Sequence, residues 1–293
     1  MTAFAGVYPA LITPMTHDGE GSLNEEAFRA VIELNIRAGV HGFWVAGGSG
    51  ESVYLTELEN NRIAEIAADQ NQGRINNIMH VGAANTAQAA RQAEHAARVG
   101  VEAICAVPPF FYGVGDEGVV EYYRTVGEAA DLPLFAYNLP SATNVEITPE
   151  LMQKIQDGVP QLRGLKHSSP VTDRIRSFAD MGLDCFTGNG HLLAAAVHIG
   201  AVGVIDGPPG VMPEMWIKIW DHIQAKDYSG AAAAQAEASR FHSHAVTHFP
   251  GSMKALLSER VGIDCGDPRP PFLPLTEGEK NLLIREAKDQ GWL

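Results

Sequence analysis

Three polar segments follow short apolar runs in this 293-residue sequence, and they carry its candidate chemistry. They lie at residues 47–52, which are rich in glycine, at residues 137–140, and at residues 164–169. Lys166 closes an apolar run, so burial would disfavour its ammonium form and leave a neutral amine that attacks carbonyl carbon. Lys166 is therefore a candidate nucleophile for a Schiff base; the alternative is a lysine just past a strand end that extends to solvent.

Two further segments offer groups that would serve such a lysine. Tyr137 ends the preceding apolar run, and its phenol could relay protons while an imine forms, unless it only packs as a core aromatic. In the glycine-rich segment, Gly48 and Ser49 offer backbone N–H groups and a hydroxyl to a bound anion. The same sequence is also typical of a tight turn, so the residues alone leave a catalytic and a structural interpretation open.

The elements that must position these segments alternate along the chain. Short apolar runs, mostly of continuous apolarity, are separated by longer segments of helical period, which is typical of parallel βα units covered on both faces. The runs lie at residues 7–13, 42–46, 78–81, 103–107, 134–137, 162–166, 185–187 and 202–205. No GxGxxG follows the first run, so the pattern favours a closed (β/α)8 TIM barrel over a doubly wound sheet.

Helix boundaries are predicted from residues that satisfy free backbone groups at helix ends. The predicted N-caps are Ser22, Thr56, Asn85, Thr148 and Thr276. After the eighth run, residues 212–223, 230–246 and 277–288 are helical in pattern, and the proline-rich residues 262–274 are predicted to form an extended connector. We therefore expect a barrel over residues 1–225 and a C-terminal helical extension over residues 226–293 that packs on the barrel as part of one structural domain.

Composition narrows the class of function. Lys and Arg number 21 against 35 Asp and Glu, a net charge of −14, so a nucleic-acid or anionic-membrane partner is not expected. The first ten residues lack a basic segment followed by a long apolar core, and no run approaches the roughly 18 apolar residues of a membrane span. The three cysteines are widely spaced without a CxxC pair, which favours a reducing compartment. We expect a cytoplasmic protein.

The three polar segments together resemble the family of dihydrodipicolinate synthase and N-acetylneuraminate lyase, the pyruvate-type class I aldolases. The resemblance extends over nearly the whole chain. It rests on residues 6–14, 47–51, 137–140 and 164–166, with residues 186–189 and 203–205 in their expected places. The Tyr-Asn-x-Pro motif followed by Gly-x-Lys at this spacing is its most specific part.

The resemblance implies a (β/α)8 barrel that assembles as a homotetramer and forms an imine with pyruvate or a longer 2-oxo acid. Lys166 would be the nucleophile, and Tyr137 would be the proton relay. Because a protonated imine accepts the electrons of a neighbouring C–C bond, the reaction needs no metal or other cofactor. The residues that the resemblance assigns to substrate binding are Gly48, Ser49, Gly188 and Ile205.

Departures from the family pattern limit which reaction is expected. The arginine that follows Tyr-Asn-x-Pro in dihydrodipicolinate synthases is missing, because residues 141–144, including Ala142, hold none. Gly48 replaces the first of two hydroxyl residues, and Phe111 occupies the place of an interface tyrosine that Tyr112 could replace. We therefore expect a C–C lyase acting on a 2-oxo acid; a dehydratase of a keto-deoxy sugar acid and a condensing enzyme are the alternatives.

The sequence leaves two other classes of function open beside the Schiff-base lyase. A non-catalytic 2-oxo acid binder would keep the barrel without its chemistry. A metal-dependent enzyme would use His242, His244 and His248, two of which share a helix face at metal-binding spacing. Because no further ligand is fixed by spacing and the segment follows the eighth run, we expect a polar helix face away from the barrel mouth and no metal. His167 is expected to pack among helices.

Overall fold

The strands of this protein form one parallel sheet that closes into a barrel. The computed structural model describes residues 4–17 and 21–293. Residues 1–3, part of the first ten residues in which no targeting segment is expected, lie outside the described residues. The strands are β1 (Gly6–Pro9), β2 (Gly42–Val45), β3 (Asn76–His80), β4 (Ala103–Ala106), β5 (Leu134–Asn138), β6 (Leu162–His167), β7 (Asp184–Thr187) and β8 (Gly203–Asp206). They neighbour one another in the order β1-β8-β7-β6-β5-β4-β3-β2. Just after β1, the Leu11 N–H donates to the Trp44 carbonyl of β2 at 3.0 Å, which brings the two ends together. The predicted (β/α)8 barrel is confirmed.

Helices follow the strands and cover the outside of the barrel. They are α1 (Glu25–Arg37), α2 (Glu57–Asn71), α3 (Thr86–Val99), α4 (Gly115–Ala130), α5 (Pro140–Thr143), α6 (Pro149–Gly158), α7 (Arg174–Asp180), α8 (Leu193–His198), α9 (Pro213–Gln224), α10 (Tyr228–Ala245), α11 (Gly251–Val261) and α12 (Glu277–Asp289). Short 3₁₀-helices at Ser52–Tyr54, Gly190–Leu192 and Pro208–Gly210 shape the loops after β2, β7 and β8. None of the helices within the described ranges combines the length and the apolarity of a membrane span.

Most predicted helix starts are confirmed, and one is wrong. Thr56 and Thr276 form capping boxes, and the side chains of Asn85 and Thr148 accept hydrogen bonds from the first turns of α3 and α6. The cap of α1 is Asn24 rather than Ser22. The chain stays extended beyond Ser22 because Met15 and Leu23 form an antiparallel bridge, so α1 begins two residues later.

The C-terminal extension contains α11, which sequence periodicity did not predict. The residues at 251–257 are all buried, so this helix lacks the polar face that produces an amphipathic pattern. The connector after α11 contains neither helix nor strand over residues 262–274. Its Arg269 forms an ion pair with Glu59 of α2 at 2.7 Å. The extension thereby contacts the part of the barrel that follows β2.

Side chains from the strands fill the barrel interior and support its mouth. Tyr8, Trp44, Phe135, Phe186 and Ile205 belong to this inner cluster and are fully buried. A second, larger cluster lies between the strands and the surrounding helices. Aromatic rings of the inner cluster pack against one another, for example Tyr8 on Phe186 at 5.0 Å between centroids. The inner cluster is therefore a packed floor rather than a channel.

Candidate active site

Lys166 and Tyr137 lie side by side at the mouth of the barrel. They are register partners on β6 and β5, and the Lys166 Nζ lies 4.4 Å from the centroid of the Tyr137 ring and 5.4 Å from that of Trp44. The Lys166 residue is only 4% exposed. Its amine therefore does not extend to solvent, and within the described residues it forms no salt bridge. The lysine is confined against two aromatic rings, where an incoming carbonyl group can reach it.

A cavity of about 360 Å³ opens beside this amine. Its lining includes Gly48, Ser49, Tyr137, Lys166, Gly188 and Asp206. Gly188 is required by space, since a Cβ at this position would lie 1.9 Å from the Ser168 Oγ. The structure thus brings together five residues that the sequence singled out, and it adds one carboxylate that the sequence analysis missed.

A second cavity of about 230 Å³ adjoins the first and shares Gly48, Tyr137 and Leu139 with it. Its walls are mostly apolar and include Ala142, at the position where the sequence lacks the family's arginine. His80, the last residue of β3, also lines it. Burial, together with the nearby charge of Lys166, lowers the pKa of His80 to about 4, so the imidazole is neutral at physiological pH. His80 is a polar residue within the apolar run predicted at residues 78–81, and this was the signal that could have identified it.

The glycine-rich segment presents backbone donors to the first cavity. Two tight turns form it, with the Gly50 N–H donating to the Gly47 carbonyl at 3.0 Å and the Glu51 N–H to the Gly48 carbonyl at 3.2 Å. Among the residues that the structure describes, the N–H groups of Gly48 and Ser49 donate to no protein acceptor. These two donors lie at the surface of the cavity and can bind a carboxylate.

A buried ion pair fixes the end of this segment. The Lys254 Nζ of α11 lies 2.7 Å from the Glu51 Oε1, and both side chains are 0% exposed. The other Glu51 oxygen accepts a hydrogen bond from the Arg269 N–H at 2.6 Å. Burial lowers the pKa of Lys254, and the charge of Glu51 opposes that shift. Lys254 was not predicted as a functional residue; its one signal in the sequence is a lysine among apolar residues.

Asp206 and His242 form a hydrogen-bonded pair at the same cavity. The His242 Nε2 lies 2.8 Å from the Asp206 Oδ2. The expectation that this histidine segment lies away from the barrel mouth is therefore wrong for His242, because α10 packs across the loops after β7 and β8. Burial by itself raises the pKa of Asp206, but the hydrogen bond from His242, the charges of His242 and Lys166 and the N–H of Gly190 together lower it. The Asp206 carboxylate is thus ionised.

The other two histidines of this segment lie elsewhere. His244 hydrogen-bonds the Leu283 carbonyl at 3.0 Å, and the backbone N–H of His248 donates to the Ser252 Oγ at 3.3 Å. Over residues 4–17 and 21–293, no group of three or more His, Cys, Asp or Glu side chains is arranged to hold a metal ion.

Some predicted site residues lie outside both cavities. Ile205 is fully buried in the inner cluster below the cavity floor. Phe111 and Tyr112 are 84% and 76% exposed and stack edge to face at 4.8 Å, on the loop after β4. Phe111 has a φ of +77°, which is uncommon for a residue with a side chain. His167 is buried against Phe178 of α7, as expected.

The sequence and the fold of this chain are similar to those of known proteins. The model of the family described as "Dihydrodipicolinate synthetase family" matches residues 3–290. A 4-hydroxy-tetrahydrodipicolinate synthase of Methanopyrus kandleri is 33% identical over 98% of this chain and 97% of the relative. An N-acetylneuraminate lyase of Rhizobium meliloti is 32% identical over 96% of this chain and 93% of the relative. Among solved structures, a catalytic lysine mutant of the sialic acid aldolase of Ruminococcus gnavus superposes with a TM-score of 0.93 and 25% identity, covering 99% of this chain and 98% of that one.

Proposed function

This chain belongs to the dihydrodipicolinate synthetase family, and on that premise we propose that it is a Schiff-base lyase that cleaves a C–C bond of a 2-oxo acid and releases pyruvate. The observation that carries the proposal is the Lys166 amine, buried against Tyr137 at a cavity with two free backbone donors. The similarity to an aldolase whose catalytic lysine has been mutated supports the same assignment. The absence of an arginine at residues 141–144 disfavours the condensing reaction of the synthases.

Substrate binding comes first and is assigned to the glycine-rich segment. The carboxylate of the 2-oxo acid accepts hydrogen bonds from the N–H groups of Gly48 and Ser49 and from the Ser49 hydroxyl. A Cβ on Gly48 would lie 3.6 Å from the Tyr137 hydroxyl, so a carboxylate bound here lies close to that phenol. The neighbouring keto carbon is then directed toward Lys166.

Imine formation follows at Lys166. The Lys166 amine adds to the keto carbon, and the former keto oxygen takes one proton from the amine nitrogen and one from Tyr137 and leaves as water. The product is a protonated imine that remains covalently bound to the enzyme. The aromatic faces of Tyr137 and Trp44, at 4.4 and 5.4 Å from the nitrogen, favour this cation.

Bond cleavage uses the imine as an electron acceptor. The hydroxyl on the fourth carbon loses its proton, the bond between the third and fourth carbons breaks, and its electron pair passes into the imine to give an enamine and a free aldehyde. Tyr137 is positioned to receive the hydroxyl proton and to return it to the third carbon. Water then hydrolyses the resulting imine, which releases pyruvate and the Lys166 amine, and the proton set free returns to Tyr137.

We further propose that the chain functions as a cytoplasmic homotetramer. The exposed aromatic pair of Phe111 and Tyr112 suits burial in a contact between subunits, because exposed neighbouring aromatic rings are uncommon on monomers. Sedimentation equilibrium tests the assembly. A tetramer that Phe111→Ser weakens supports the proposal, and a monomeric wild type contradicts it.

Hydrogen exchange on pyruvate tests the Schiff base. The enamine forms reversibly from bound pyruvate, so the enzyme should replace the methyl hydrogens of pyruvate with deuterium in D₂O, which proton NMR follows. Lys166→Arg should reduce the rate to the uncatalysed background, because a guanidinium does not form an imine. The matched control is Lys218→Arg, a change at an exposed lysine that should retain the wild-type rate. Equal exchange by the wild type and Lys166→Arg contradicts the proposal.

A further inference from the structure

The reaction as proposed leaves one charged group of the cavity without a role. Asp206, the last residue of β8, lines the same cavity as Lys166, and its side chain is 20% exposed. Carbonyl chemistry at Lys166 and carboxylate binding at Gly48 and Ser49 make no use of it. Burying a carboxylate is costly, so hydrogen-bond donors must surround it.

Protein groups fix the Asp206 carboxylate in one orientation. The Oδ2 atom accepts hydrogen bonds from the Gly190 N–H at 2.6 Å and from the His242 Nε2 at 2.8 Å. The Oδ1 atom accepts one from the Gly207 N–H at 2.8 Å. A carboxylate offers about four acceptor positions, so one position on Oδ1 is left for a ligand in the cavity.

A second layer of contacts holds these donors. The Gly190 carbonyl accepts from the Trp216 Nε1 at 3.0 Å and from the Gln235 Nε2 at 2.9 Å. The His242 ring packs against the ring of His191, with 3.9 Å between centroids and an angle of 43° between the ring planes. Gly190 admits no side chain, because a Cβ there would lie 2.9 Å from the Asp206 Oδ2. The carboxylate is thus rigidly placed, as a group that reads the shape and chemistry of a ligand must be.

The charges around the cavity limit what this ligand can be. Lys166 is the one lysine or arginine among the described residues that line the two cavities, and in the imine its nitrogen is bound to the second carbon of the substrate. The first carboxylate of the substrate already occupies the backbone donors. A second carboxylate, on the substrate's tail, would face the ionised Asp206, and the lining residues hold no further lysine or arginine to offset the repulsion. A hydroxyl group, in contrast, donates to the free position on Oδ1 at no electrostatic cost.

We propose that Asp206, positioned by His242, accepts a hydrogen bond from a hydroxyl on the substrate's tail and so selects 2-oxo acids whose tail is hydroxylated and uncharged. This inference rests on the proposed lyase function and names its substrate class. Asp206 is a specificity-determining residue, and His242 is a positioning residue that acts through it.

The wild-type enzyme provides the first test, through a series of four 4-hydroxy-2-oxo acids that share their first four carbons. The fourth carbon carries a methyl, a hydroxymethyl, a dihydroxyethyl or a carboxylate group, and pyruvate release is measured for each with lactate dehydrogenase. We expect kcat/KM to be about 10- to 100-fold higher for the hydroxymethyl than for the methyl compound, and lowest for the carboxylate compound. Equal values, or a preference for the methyl or carboxylate tail, overturn the proposal.

Variants of Asp206 and His242 then test whether these two residues cause the preference for a hydroxylated tail. Asp206→Asn should lower the hydroxymethyl-to-methyl ratio about tenfold and raise the relative kcat/KM of the carboxylate compound. His242→Ala should lower the same ratio, and His242→Gln, whose amide N–H can replace the imidazole donor, should restore it in part. His244→Gln, on the same helix, and Asp227→Asn, from an exposed Asp–His pair, are matched controls that should keep the wild-type ratio. A ratio unaffected by Asp206→Asn overturns the proposal.

The outcomes separate this proposal from the lyase function. Cleavage of the four acids with equal kcat/KM overturns the proposed specificity and leaves the lyase function in place. Neither exchange nor cleavage overturns both. If Asp206→Asn does not fold, as its thermal unfolding would show, the wild-type preference and the His242→Gln comparison still decide the question.

Discussion

Replacing Lys254 by methionine should destabilise the protein strongly, because it leaves the Glu51 carboxylate buried without its cation. The two charged groups are 2.7 Å apart and fully buried. Breaking a buried pair from one side costs about 3–5 kcal/mol. At roughly 2–4 °C per kcal/mol, the midpoint of thermal unfolding should fall by about 6–20 °C.

Removal of both charges should cost much less. In the double variant Glu51→Gln/Lys254→Met, the glutamine keeps an oxygen for the Arg269 N–H, and no charge is left buried. We expect it to regain most of the loss, with a coupling free energy of about 2–3 kcal/mol in a double-mutant cycle. Urea unfolding of the wild type, the two single variants and the double variant measures this coupling free energy.

The same pair should influence substrate binding through the glycine-rich segment. Since Glu51 directly follows the turn that presents Gly48 and Ser49, Lys254→Met should raise the KM for the 2-oxo acid more than it lowers kcat. Lys288→Met, which breaks an exposed ion pair with Glu259, is the control and should change unfolding by less than about 1 kcal/mol. Additive free energies in the cycle, or a Lys254→Met protein as stable as the wild type, would refute the reasoning.

Three further predictions concern pH and proton transfer. The hydrogen bond from Arg269 lowers the pKa of Glu59 from 4.5 to about 2 in the folded protein. The stabilisation that the ionised Glu59 provides should therefore be lost as pH falls from 4.5 to about 2. Urea unfolding of Glu59→Gln should show no such loss. Burial lowers the pKa of His80 from 6.5 to about 4 in the folded protein. As pH falls from 6.5 to about 4, this imidazole is protonated in the unfolded chain but not in the folded one, so the free energy of unfolding should fall by about 3 kcal/mol. His80→Gln should abolish this loss. Tyr137→Phe should slow pyruvate methyl exchange about 10²- to 10⁴-fold, as measured by NMR, because the proton relay is removed.

The barrel was predictable because its signals are local. Continuous apolar runs, capping residues such as Thr56, and helix-ending glycines such as Gly100, which adopts a φ of +88°, each report on a few neighbouring residues. Strand order in a barrel follows chain order, so Tyr137 and Lys166 were expected to be neighbours, and they are register partners.

The polar pairs of the site could not be predicted, because they join residues that are distant along the chain. Asp206 and His242 lie 36 residues apart, and their contact depends on how α10 packs back over the barrel. The periodicity of the sequence does not indicate how α10 packs on the barrel. Lys254 was missed because residues 251–257 of α11 are all buried, so this segment shows no amphipathic period and no helix was predicted around the lysine. Ile205 was expected to line the cavity, but its side chain packs into the floor below.

Trapping of the covalent intermediate tests the central claim most directly. The enzyme is incubated with pyruvate, reduced with sodium borohydride and digested, and the peptides are analysed by mass spectrometry. The Schiff-base mechanism predicts a reduced pyruvate adduct on the peptide that carries Lys166, and its disappearance in Lys166→Arg. An adduct confined to another lysine, or pyruvate release by Lys166→Arg at the wild-type rate, would contradict it.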